Sequence, residues 1–231
     1  MKKKVLHKKV KKHLSGVDLM KSYTIQEAID LAKNLSKEKF DASLEVHLKT
    51  GIDAKKSDQS IRGSVVLPHG TGKTKRVAVF AEGEKATEAT SAGADLVGGL
   101  ELIQEIKSSG KADFDVAIAT PDMMKNLAGV AKILGPKGLM PSPKNETVTV
   151  HIKGAIEAVK KGKVNFKNDD SGNVHQSIGK RSFDTQKLIE NYTIFMESVR
   201  KARPSTAKGT YLKTVTLSTT MGPGIKVTTA A

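Results

Sequence analysis

The residues Gly70-Thr71-Gly72-Lys73-Thr74 have the composition of a phosphate loop, in which backbone N–H groups and a lysine ammonium cradle nucleotide phosphates. The spacing fails. A phosphate loop requires a glycine where Leu67 stands, and residues Arg76 to Phe80 read as a strand where such a loop must open a helix. The stretch reads as a turn-rich hinge, and nucleotide hydrolysis is not expected. No Gly-x-Gly-x-x-Gly follows the next apolar strand, so no dinucleotide is implied either. The six histidines, His7, His13, His47, His69, His151 and His175, fall at no metal-ligand spacing and have no Gly-x-Ser-x-Gly partner; each reads as a surface or hydrogen-bonded residue. Asp113 with Asp115 brackets Phe114 at a strand start, and Asp169 with Asp170 sits in a turn, so neither pair is assigned acid/base work. With no cysteine, a thiol nucleophile, a Cys-ligated zinc site and a disulfide framework are all excluded. The chain carries no enzyme constellation, and no cofactor or metal is expected.

What remains is charge. The net charge is +15, which points to a polyanion, either nucleic acid or an anionic membrane surface. Residues 1–67 hold 15 Lys and Arg against 8 Asp and Glu, residues 68–159 hold 11 against 11, and residues 160–231 hold 13 against 5. Both ends are basic around a neutral middle. That asymmetry predicts a discontinuous basic domain, 1–67 with 160–231, and an inserted domain, 68–159. Seven lysines crowd the first thirteen residues, but no apolar run reaches the ~18 residues of a spanning helix, so secretion and membrane insertion are not expected.

The elements that must position any site follow from periodicity. Leu6, Val10, Leu14 and Val17 make one apolar stripe on a basic helix. Thr24 and Glu27 form a capping box that opens a helix through Ile25, Ala28, Ile29, Ala32 and Leu35. From Ser43 the period becomes two, with Leu44, Val46 and Leu48 on one face of a strand and Glu45, His47 and Lys49 on the other. A second strand runs from Ser64 to Leu67. In the middle, apolar runs at 77–81, 94–97 and 116–119 alternate with helical windows at 85–91, 100–107 and 123–134, which predicts a small Rossmann-like, three-layer α/β domain on a parallel sheet. A strand at 147–152 and a helix at 155–161 follow. Val164 and Phe166, a turn at 168–173, and Val174 with Ile178 read as a hairpin. The longest helix begins near Asp184 and stops before Pro204, and a strand at 211–217 leads into a turn at 219–224. The two ends together supply an α+β domain that neither closes alone. The run from Ile133 to Lys144, with two glycines, three prolines and two lysines, is a stiff basic loop with Leu139 and Met140 at its tip; it either contacts RNA or protein, or covers the core.

That run belongs to a wider resemblance. Together with Lys39-Phe40-Asp41, Gly51-Ile52-Asp53, Ser57-Asp58-Gln59, Arg62-Gly63, Leu67-Pro68-His69-Gly70, Ala92-Gly93-Ala94-Asp95, Ala119-Thr120-Pro121-Asp122, Gly179-Lys180-Arg181-Ser182-Phe183 and Thr219-Thr220-Met221-Gly222-Pro223, it resembles the ribosomal protein L-one family, the stalk protein of the large ribosomal subunit, in its bacterial form. The resemblance covers essentially the whole chain. It departs at Lys180-Arg181, where two charges stand in place of one lysine and a small residue, and the tail after Pro223 is not distinctive.

The resemblance implies a first domain built from both chain ends, an inserted Rossmann-like domain, and two connecting strands acting as a hinge. It implies a monomeric, cytoplasmic protein that catalyses nothing and binds the stalk of large-subunit (23S) rRNA. It further implies help in releasing deacylated exit-site tRNA and repression of translation from the protein's own mRNA. Carried over by motif, the RNA-facing residues are Lys39, Phe40, Ser43 and Glu45, then Lys167, Asn168, Asp169 and His175, then Ser218, Thr219, Thr220, Met221 and Gly222. Lysines in such a surface neutralise phosphates, hydroxyls and backbone groups reach 2′-OH groups and base edges, and Phe40 with Met221 seals the contact. Two other classes compete weakly. An enzyme would need nucleotide at Lys73, and a membrane-surface protein would need more apolar residues than Val5, Leu6, Val10 and Leu14 offer on the first helix. If the charge partition carries function, excising residues 68–159 and joining the ends by a short linker leaves binding to a stalk-rRNA fragment largely intact, as read by gel shift; loss of binding in a folded variant would refute the partition.

Overall fold

The computed structural model describes residues 21–54 and 56–228, so the basic helix expected near the N-terminus and the last three residues lie outside the described residues. The chain divides into two compact units, Met1–Gly72 with Phe166–Ala231, and Lys73–Asn165. On these boundaries the first holds 25 Lys and Arg against 13 Asp and Glu, and the second 14 against 11. The surplus therefore splits as +12 and +3.

In the first unit, helix α1 (Ile25–Leu35) is opened by Thr24, whose N–H donates to Glu27 Oε2 (3.0 Å) while its hydroxyl accepts from the Glu27 N–H (3.4 Å). Strand β1 (Ser43–Thr50) follows, then β2 (Arg62–Val66), β6 (Lys163–Lys167), whose first three residues fall within the bounds of the second unit, β7 (Asn173–Lys180), helix α7 (Thr185–Lys201), β8 (Leu212–Thr219) and β9 (Ile225–Val227). Four strands form one antiparallel sheet in the order β7-β1-β8-β9. Its inner face buries Leu44, Val46, Leu48, Val174, Ile178, Val215 and Leu217 against α1 and α7. The period-two reading of β1 holds residue for residue.

One departure concerns strand pairing. The segments read as a hairpin around 168–173 are not paired with each other: β6 pairs with β2 and β7 with β1, and only Asn168 and Val174 form a bridge. Phe166 is drawn away, buried edge-on against Phe195 of α7 at 5.7 Å between ring centres. In α7 the buried stripe passes through Asn191 and leaves Ile189 and Tyr192 half-buried. The Asn191 amide accepts from the His69 N–H (3.2 Å) and donates to the carbonyls of Gly70 (3.0 Å) and Ile178 (2.7 Å). The Tyr211 hydroxyl donates to Val199 O (2.9 Å), tying the approach to β8 onto the same helix, and burial pushes its pKa up to about 12.

The second unit is a parallel sheet in the order β4-β3-β5, built from β3 (Val77–Phe80), β4 (Leu96–Gly98) and β5 (Val116–Ala119). Helices α2 (Glu84–Ser91) and α6 (Ile152–Lys160) cover one face through Ala89, Ile152, Ile156 and Val159. On the other face α3 (Leu100–Ser109) packs with the segment 123–134. That segment is not one helix but α4 (Met124–Leu127), a 3₁₀ turn and α5 (Ala131–Leu134), broken around Gly129. The strand expected at 147–152 is reduced to a bridge from Val148 to Ala119. Side chains compete there: the Thr147 hydroxyl accepts from Ser142 N–H (2.8 Å) and that of Thr149 from His151 N–H (3.1 Å), and α6 starts at Ile152.

Leu139 and Met140 are not at a loop tip. Both pack onto the core around Phe80, behind a Schellman cap in which Leu139 N–H meets Leu134 O and Gly138 N–H meets Gly135 O, each at 3.0 Å. Gly138 supplies the positive φ of 70° that the cap needs. The covering role thus accounts for the apolar residues, and Gly135 to Gly138 form the exposed part. After Gly70 and Gly72, at φ of 63° and 72°, comes strand β3 rather than the helix of a phosphate loop.

Replacing Asn191 by Ala removes the donor to the buried Ile178 carbonyl and the bonds to the part-buried His69 N–H and Gly70 carbonyl, which costs about 3 kcal/mol. Tyr23, Tyr192 and Tyr211 all lie in the first unit and the chain has no tryptophan, so tyrosine fluorescence during urea unfolding reads this loss directly.

Candidate nucleic-acid interface

The outer face of the four-stranded sheet is polar along its length. The register sets Glu45 beside Ser177 and Ser218, His47 beside His175 and Thr216, and Lys49 beside Asn173 and Thr214; Lys226 of β9 faces Thr216. Among the described residues α1 and α7 pack on the opposite, apolar face; on the outer one Lys49 and His175 are exposed, Glu45, His47, Thr216 and Ser218 are half-buried, and the Ser177 hydroxyl is buried without a hydrogen-bond partner. The outer face lies within the unit that holds +12 of the charge.

At one end of the strands a clamp joins the start of β1 to the turn after β8. The Ser43 N–H donates to Thr220 Oγ1 (3.0 Å), and the Thr220 N–H returns to Ser43 O (3.1 Å). Lys180 donates to Ser43 Oγ (3.1 Å) and Asp41 O (3.2 Å), while Ser182 binds the Asp41 carboxylate through its N–H (3.1 Å) and hydroxyl (2.8 Å). Lys180, in the Lys180-Arg181 pair where two charges stand in place of one lysine and a small residue, is thus a brace for this loop. On the braced scaffold two large apolar side chains stand out in solvent: Phe40 is 53% exposed and Met221 73%. Neither contributes to a core. Gly222 closes over the Thr219 hydroxyl, which is buried without a hydrogen-bond partner, and any Cβ at 222 would collide with that oxygen.

The other end is organised by Asp169. Its carboxylate accepts from the N–H groups of Asn173 (2.6 Å) and Ser171 (2.9 Å) and from the Asn173 amide (2.9 Å). These bonds, the Asn173 N–H foremost, hold its pKa down to about 2. Lys167 is exposed beside it. Asn168 is 8% exposed, and its amide accepts from the Ile61 N–H (2.7 Å) and donates to Asp169 O (3.0 Å).

The residues named from sequence therefore do not form one cluster. Lys39, Phe40, Ser43, Thr219, Thr220, Met221 and Gly222 gather at one end; Lys167, Asn168 and Asp169 lie at the other, roughly 20 Å along the strands; Glu45, Ser218 and His175 lie on the face between them. Ser43, Asn168 and Thr219 are buried, so their side chains support the surface from beneath. Sequence reasoning passed over His47, Thr216, Ser177 and Lys226. His47 was visible on the polar side of an alternating strand, but its partner His175, at 2.8 Å between Nδ1 atoms, comes from 128 residues away. Among the described residues no group of three or more His, Cys, Asp or Glu is placed to hold a metal ion, and no helix is long and apolar enough to cross a membrane.

Asp169 has a folded-state pKa of about 2 against an ordinary 3.8, so its contribution is complete above about pH 4 and is lost as pH falls toward 2. Asp169→Asn is expected to lower stability by roughly 1 kcal/mol at pH 7, the side chain being partly exposed, with the gap closing near pH 2. Urea midpoints measured for both proteins across that range check it.

A polar sheet face on a basic unit, flanked by exposed Phe40 and Met221, suits RNA recognised by shape and 2′-OH contacts. Residues 31–223 match the Ribosomal protein L1p/L10e family, far more than half of the chain. The chain is a member of that family, a structural rather than an enzymatic one, whose proteins sit in the large ribosomal subunit and bind its rRNA.

Proposed function

We propose that the outer face of the β7-β1-β8-β9 sheet grips the stalk of large-subunit 23S rRNA. The observation that carries this reading is the Ser43–Thr220 clamp, which fixes two exposed apolar side chains, Phe40 and Met221, on an otherwise polar surface. Lys39 and Lys167 neutralise phosphates. The backbone at Thr220 and Gly222, the Ser218 hydroxyl, Glu45 and His175 meet 2′-OH groups and base edges in a shallow minor groove. Asn168, Asp169, Ser43 and Thr219 hold those groups in place. Phe40 and Met221 exclude water from the contact. The same surface binds a stalk-like fold in the protein's own mRNA, so that free protein represses its own synthesis, and on the ribosome the protein helps deacylated tRNA leave the exit site. The free protein acts as a cytoplasmic monomer away from membranes.

Binding to a stalk-rRNA fragment and to an unrelated hairpin across a salt series tests the reading. With about six phosphates neutralised, the log-log slope is roughly −4 to −5, and a preference of about a hundredfold for the stalk persists at high salt. Met221→Asp and Thr220→Val weaken the stalk complex tenfold or more, whereas Lys73→Ala in the second unit changes it little. Equal effects from all three would place the contact elsewhere, and parallel loss of both RNAs with salt would reduce the +15 to generic attraction.

A further inference from the structure

His47 and His175 stand opposite each other in the β1–β7 register, with Nδ1 atoms 2.8 Å apart and rings edge-on at 5.0 Å. A contact this short exists only when one Nδ1 carries a hydrogen and the other a lone pair. Their outer nitrogens are engaged as well. His47 Nε2 lies 3.0 Å from Ser218 Oγ and 3.9 Å from Glu45 Oε2, and His175 Nε2 lies 3.5 Å from Asp169 Oδ2. While the contact stands, the pair holds at most three protons and a single positive charge. A fourth proton would set two N–H donors against each other between two cations.

The surroundings decide what supplies that proton. From β1 the charged neighbours are Glu45 and Lys49, the latter donating to Ser171 O at 2.6 Å; the turn before β7 adds Asp169, and β9 adds Lys226. Strand β8 presents only the hydroxyls of Thr216 and Ser218, and β7 the neutral Asn173 and Ser177. Burial first, and then the charge of His175, lowers the pKa of His47, with Glu45 opposing. The free face therefore resists the second cation, while an anion arriving above the pair would favour it.

We propose, building on the assignment of this face to RNA, that the His47–His175 pair is a proton-linked phosphate site. A phosphodiester oxygen seated over the singly charged, three-proton pair draws the fourth proton from solvent, the Nδ1–Nδ1 contact opens, and two imidazolium donors hold the oxygen. RNA binding then takes up about one proton. Because the bound state has the higher pKa, affinity rises as pH falls between the bound and free values, by up to about tenfold per pH unit inside that window.

The test uses the full chain and a stalk-rRNA fragment at fixed ionic strength between pH 7.5 and 5.5. Wild type gains about tenfold in affinity over that range, and calorimetry in buffers of different ionisation enthalpy counts close to one proton taken up per complex. The double variant His47→Gln with His175→Gln loses the rise, while His69→Gln, whose imidazole pairs with Glu190 at 2.6 Å, keeps it. A flat wild-type profile overturns the proposal while leaving the RNA assignment standing, and so does a rise that survives in the double variant. Absence of stalk binding at every pH removes the RNA assignment and this proposal with it.

Discussion

Strand β1 depends on partners it cannot find nearby. Both of its edges are hydrogen-bonded to strands from the far end of the chain, to β7 on one side and β8 on the other, and the side-chain contacts of His47 span 128 and 171 residues. One short strand thus joins the N-terminal segment to the C-terminal one in the centre of the four-stranded sheet, while β2 pairs with β6 in a smaller one. Every other feature of the first unit hangs from β1: the apolar alternation that seats α1 and α7, the clamp at Ser43, and the polar row whose middle member is His47. A slip of one residue in either register would turn Leu44, Val46 and Leu48 outward and bury Glu45 and Lys49.

Such a strand was easy to read from the sequence, because its period-two pattern is local, and the capping box of α1 was legible for the same reason. The face it helps build was not. Glu45, His47 and Lys49 are visibly polar, but nothing near them in sequence announces that His175, Ser218 and Thr216 will lie alongside. Local pattern also misled where two short runs flank a turn. The residues on either side of Asp169 look like a hairpin because the turn chemistry is right, yet the partner choice is set by Phe166 finding Phe195 and by β1 lacking a neighbour. Asn191 was hidden in another way, a polar residue in a helix stripe whose three hydrogen-bond partners come from a distant loop and a strand.

The Ile133–Lys144 run shows how unusual composition can serve ordinary ends. Its glycines and prolines shape a helix cap and an exit, and its two large apolar residues return to the core. In the first unit the reverse holds: Phe40 and Met221 lie in two short motifs of ordinary composition that carry the resemblance, and they remain in solvent. Exposure of a large side chain, which needs the fold to be seen, points to function more directly here than rarity of a motif does.

The insertion of residues 73–165 between two halves of one unit also fixes an order of events during synthesis. The second unit is contiguous, so it has all its strands as soon as it leaves the ribosome. β1 emerges earlier but must wait for residue 219 before both its edges are paired, a delay of roughly 10 to 30 s at ordinary elongation rates. Through that interval the nascent chain carries an alternating strand with open edges.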